Sequence, residues 1–174
     1  TSGSLNTFVG SAAGGGNQSS SNNTAVGAFA FDAGTGADNV AIGSGALGGS
    51  SNSAADNVAI GLDAGNQISS GANNVLIGSH AGDALTEGGN NTAVGFQALT
   101  SDTLGSRSVA IGQFALNNQN FTTSTTVYNT AMGYNAGVGI TTGTENVLIG
   151  GLAGDSLTTG AANVALGHAA LTAD

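Results

Sequence analysis

The side chains able to do chemistry are few. The 174-residue chain carries ten Asp and Glu, two His and a single cationic residue, Arg107, with no Cys. A metal centre needs several ligands converging on one point. His80 and His168 fall one position apart in the register of the repeat described below and lie several repeats apart. They cannot share an ion, and each reads as a surface or turn residue. Asp83 and Asp155 occupy one repeat position but are four repeats apart, and Asp63 stands beside an Ala-Gly pair. Asp38 and Asp56, each directly before a repeat Asn, are the calcium candidates. Stacked on adjacent coils about 5 Å apart, two like charges repel unless a cation bridges them. The Gly-Gly-x-Gly-x-Asp calcium repeat is absent, and an acidic face that keeps the molecule soluble is the competing explanation.

No nucleophile has a base and an orienting acid at recognisable spacing, so no catalytic residue is assigned and no cofactor is expected. Gly14-Gly15-Gly16 and Gly34-Thr35-Gly36 lack the strand–turn–helix context of a phosphate loop. A net charge of −9 with one cation excludes binding to a phosphate backbone, so nucleic acid is not a partner. No stretch has the length of a membrane span, and disulfides are impossible without Cys. The Asn-x-Ser/Thr sequons at Asn17, Asn22, Asn90 and Asn120 are expected by chance in a chain this rich in Asn, Ser and Thr.

The elements that must position these residues are set by a repeat. Asn39-Val40-Ala41-Ile42-Gly43 recurs as Asn57 to Gly61 and, with one change, as Asn74 to Gly78. Extended, the unit occurs ten times, with its glycine at Gly10, Gly27, Gly43, Gly61, Gly78, Gly95, Gly112, Gly133, Gly150 and Gly167. An Ala stands three residues after every one of them. Asn opens nine units, among them Asn91, and Ser108 opens the seventh. Four units continue as Ala-Gly-x-x-Ile/Leu-Ser/Thr-x-Gly; others carry Leu or Phe in place of the Gly after the Ala, as at Phe31, Leu47, Leu99 and Leu116.

Frequent Gly opposes helix, and short Val/Ile runs bounded by Gly, Asn and Ser predict strands. A period of about 17 residues suits one coil of a solenoid. The chain therefore reads as a single all-β domain over 1–174, a parallel β-solenoid of about ten coils with two or three short extended segments in each. Alternation sends the second and fourth residues of a unit to one face and the third to the other. The fourth site (Ile42, Ile60, Ile77) is the expected core position; the second lies inside with it or, given Thr7, Thr24, Thr92 and Thr130, is partly exposed, and the small third site is open to close approach. Stacked Asn side chains should form an amide ladder, and Gly43, Gly61, Gly78 and Gly95 should supply positive φ at the corner.

The Asn-x-Ala-Ile/Val-Gly-x-x-Ala unit resembles the head repeats of trimeric autotransporter adhesins, most closely at Asn57 to Gly61. It is equally similar to bacteriophage tail-fibre repeats, most closely at Asn91 to Leu99. The resemblance covers about Asn6 to Leu171. It implies a parallel β-roll, often a homotrimer around an apolar three-fold axis.

The 21-residue step from Gly112 to Gly133 places about four extra residues at 117–127. With Phe121 and Tyr128 this is the candidate contact loop. No lid covers either terminal unit, so the chain is expected to be a piece of a longer fibre or to stack end to end. The expectation is a non-enzymatic, self-associating fibre protein of a cell surface or virion, as a homotrimer or an end-to-end filament. A cell-surface receptor or polysaccharide is the further partner class; membrane insertion is not expected. The alternative is a monomeric solenoid that binds ice or a repetitive polysaccharide through a flat face. Thr at the second site in only four units weakens the ice reading.

Overall fold

The computed structural model describes residues 3–17, 19–49 and 52–172. It is a parallel β-solenoid with one three-residue strand per coil. In chain order the elements are β1 (Thr7–Val9), β2 (Thr24–Val26), β3 (Val40–Ile42), β4 (Val58–Ile60), β5 (Val75–Ile77), β6 (Thr92–Val94), β7 (Gly105–Ser106), β8 (Val109–Ile111), β9 (Thr125–Thr126), β10 (Thr130–Met132), β11 (Val147–Ile149) and β12 (Val164–Leu166). Ten of them form one parallel sheet in sequence order, while β7 and β9 pair separately. Register never slips: Val40 lies against Val58, Ala41 against Ala59 and Ile42 against Ile60, and so on along the rod.

The second extended segment of the unit does not become a strand in most coils. Its backbone still bonds from coil to coil, as in Ser69 N–H to Thr86 O (2.9 Å) and Thr86 N–H to Thr103 O (2.9 Å). The Thr86 hydroxyl donates to the same Thr103 carbonyl. Only where the chain is longer do two such segments pair as β7 and β9.

The asparagine ladder is present and buried. Asn74 donates its backbone N–H to Asn57 Oδ1 (2.9 Å) and its amide to Asn57 Oδ1 (3.1 Å) and Gly88 O (3.0 Å). Asn91 N–H donates in turn to Asn74 Oδ1, and the same link joins Asn39 to Asn57. Each amide thereby satisfies corner groups that have no other partner within their own coil.

The corner glycines behave as expected, with φ of +131° at Gly43, +138° at Gly61, +135° at Gly78 and +139° at Gly95. The stack itself adds a second constraint. A Cβ at Gly61 would lie 2.5 Å from Gly78 O, on the next coil.

One expectation is reversed. The third site is the interior: Ala25, Ala41, Ala59, Leu76, Ala93, Ala110, Ala131 and Leu148 are fully buried. Ile42 and Ile77 are 38% and 36% exposed, and Ile60 is half-buried, so the fourth site lies on the outside. Alternation fixes which residues share a face but not which face is inner. The lumen is filled by the Ala column (Ala30, Ala46, Ala64, Ala81) and by one bulky residue per coil from the opposite wall, and the branched pair is left outside.

That bulky residue comes from either of two positions. Where Phe31, Leu47, Leu99 or Leu116 follows the Ala directly, it fills the lumen itself. Where Gly takes that place, Ile68, Leu85 or Ile140 fills it from three residues on. The exchange is steric. A Cβ on Gly65 would meet Leu76, Ile68 and Leu47 side chains at 2.7–3.1 Å. Close packing tolerates one occupant or the other.

Candidate functional site

The fold leaves the outer face of the ten-stranded sheet unpartnered. It presents the second and fourth sites of every strand: Thr7, Thr24, Thr92 and Thr130 at four positions, and Val, Ile, Met or Leu at all the others. No charge interrupts it. Parallel sheets are ordinarily covered on both faces. Here one face is covered by the rod's own wall and the other is bare and apolar. Nine steps of about 4.8 Å make the bare strip about 43 Å tall.

The long coil is built around a buried carboxylate. Ser108 takes the ladder position of an Asn, and its N–H still donates to Asn91 Oδ1 (2.9 Å). Ser is too short to carry the ladder onward. Gln119 bridges the gap, donating to Ser108 Oγ (3.0 Å) and Asp102 Oδ2 (2.5 Å) while Oε1 accepts from Asn129 Nδ2 (2.9 Å). Asp102 Oδ1 accepts from the N–H groups of Gly105 and Phe121. The ladder fixes the orientation of Gln119, because Asn129 Oδ1 is already taken by Asn146 N–H. Asp102 is therefore held as an acceptor only. Burial raises its pKa above the ordinary carboxylate value, against the opposing effect of these hydrogen bonds.

A raised native pKa makes the folded chain bind the proton more tightly than the unfolded chain. This group's contribution is most favourable below the ordinary carboxylate range and declines as pH rises through the raised value. Asp102→Asn should flatten that slope in denaturant titrations across pH. It also sets an Asn donor against the Gln119 donor. Gln119→Glu should restore the match, so the double variant should be less destabilised than the two singles summed, by about 1–3 kcal/mol. Additive losses would show that the two side chains are not coupled.

The candidate contact loop is only partly a projecting one. Phe121 is buried, correcting the expectation that it would face a partner. Tyr128 is exposed, with Arg107 over its ring at 5.9 Å. The added length emerges at 122–124, which are exposed.

Asp38 and Asp56 do occupy one exposed column on adjacent coils. Asp38 Oδ1 accepts from Asn22 Nδ2 (2.9 Å). Among the described residues no group of three or more His, Asp or Glu is placed to hold a metal ion. Two exposed carboxylates alone do not make a calcium site.

Sequence reasoning missed a cavity of about 280 Å³ between the fourth and fifth coils, lined by Asp63, Asn66, Gln67, His80, Asp83 and Ala84. His80 Nδ1 lies 3.3 Å from Asp83 Oδ2, and Thr100 Oγ1 donates to Asp83 Oδ1 (2.5 Å). The signal was in the alignment. Asp63 and His80 both lie two residues past their corner glycine, and Asn66 and Asp83 both lie five past it.

No protein-family model, curated protein or solved structure matches the chain.

Proposed function

We propose that the chain is a structural, non-enzymatic rod segment of an extracellular fibre, which associates with copies of itself through the outer face of its sheet. The observation that carries this reading is the uncharged, mostly apolar strip on a parallel sheet. Exposed apolar patches beyond a few hundred Å² mark interaction sites. A strip that repeats at every coil step is matched best by a partner with the same step, which a second copy supplies. Each copy carries a net −9, so charge opposes association and apolar burial must drive it. Three copies around an axis would bury all three strips, the arrangement that the resemblance to adhesin and tail-fibre repeats implies. The backbone bonds between coils would give the rod its resistance to extension, and a cell surface or virion is its proposed location.

Light scattering after size exclusion tests this. A discrete mass near three times 16.4 kDa supports the trimeric rod, and void-volume material would point to end-to-end growth. A 16.4 kDa monomer at high concentration would remove the self-association reading.

A further inference from the structure

We propose that the corner running from the fourth to the seventh coil is a binding site for a neutral, β-1,4-linked glycan chain lying along the rod. The cavity carries carboxylate, imidazole and amide groups side by side, the mixture of acceptors and donors that a ring of hydroxyls requires. At about 280 Å³ it lies near the small end of ligand sites and is open to solvent, room for a sugar ring in a continuing chain. Two carboxylates with no Lys or Arg among the lining residues exclude an anionic ligand.

The corner continues in register beyond the cavity. His80 N–H donates to Leu62 O, Gln97 N–H to Ser79 O and Phe114 N–H to Phe96 O, at 2.8–3.0 Å. Asp63, His80, Gln97 and Phe114 thus stand in one column, one per coil. The Phe96 and Phe114 rings meet edge to face at 5.5 Å, with Phe96 43% exposed. Acids and amides followed by aromatic rings on successive coils offer hydrogen bonds to hydroxyls and apolar faces to ring C–H groups. An extended β-1,4-linked chain advances by roughly one coil spacing per sugar, so consecutive sugars meet consecutive coils. The inference does not depend on self-association.

The test is an amide chemical-shift titration of the intact chain with cellohexaose and with chitohexaose. Weak, saturable binding at about millimolar affinity is expected, with shifts confined to this corner. Gln67→Ala and Phe114→Ala should each weaken it about tenfold. The Gln67 side chain bonds only the neighbouring Asn66 side chain, and its backbone bond to Asp83 O survives truncation to Ala, so the substitution leaves the fold intact. No shift with either oligosaccharide overturns the proposal, as do shifts that map to another face. A change in assembly mass on Phe114→Ala, with no loss of glycan binding, also overturns it and makes the column a contact between copies.

Discussion

A chain carrying Ala59→Asp should not fold, whereas its neighbour Ile60→Asp should fold and fail to assemble. Ala59 is fully buried in the lumen. A carboxylate there has no partner and costs several kcal/mol after relaxation, a large share of the stability of any domain this size. Ile60 lies on the outer face, where an Asp remains in water and changes monomer stability by about 1 kcal/mol or less. In an assembled rod the same Asp would be buried against copies of itself. Circular dichroism and light scattering on the two variants separate the cases. Loss of β-structure in Ile60→Asp with a folded Ala59→Asp would return the branched residues to the core.

The second large effect is expected at a position with no side chain. Gly61→Ala should lower stability by at least about 3 kcal/mol, read as a drop in the thermal midpoint. The new Cβ must tolerate φ of +138° and a carbonyl oxygen 2.5 Å away, and that oxygen belongs to backbone that cannot move without breaking the next coil. Gly167→Ala is the control. Its φ is +118° but nothing lies within 4 Å of its Cβ, so it carries the backbone strain alone. Equal losses at the two sites would show that stacking contributes nothing.

Much of the fold was legible because a solenoid is its repeat. The spacing of Gly43, Gly61 and Gly78 predicts the coil, and the Asn column predicts its own ladder. The inner and outer faces were not legible from β3 or β4 alone. Val-Ala-Ile alternation assigns parity, and the side that faces inward is set by what fills the lumen from the opposite wall. The clue lay in the second half of the unit, in the reciprocal exchange of Gly65 and Ile68 for a Leu such as Leu47. The small Ala of the third site leaves room for those side chains, an approach that was expected from outside. Asp102 and Gln119 were legible only as an irregularity, since Ser108 and the extra residues fall in the same unit. The cavity at His80 needed the ten units aligned position by position, because its residues are ordinary within any single coil.

The asparagine column also gives the rod a direction. Every side-chain oxygen receives from the coil that follows it, from Asn6 accepting Asn23 N–H to Asn146 accepting Asn163 N–H. One end of the column therefore offers a donor and the other an acceptor. A further coil can continue the pattern only tail to head, and a reversed one meets like groups. Growth, templating and the joining of segments all inherit that arrow. Two rods meeting with opposite polarity could press their sheets together but could never merge into one.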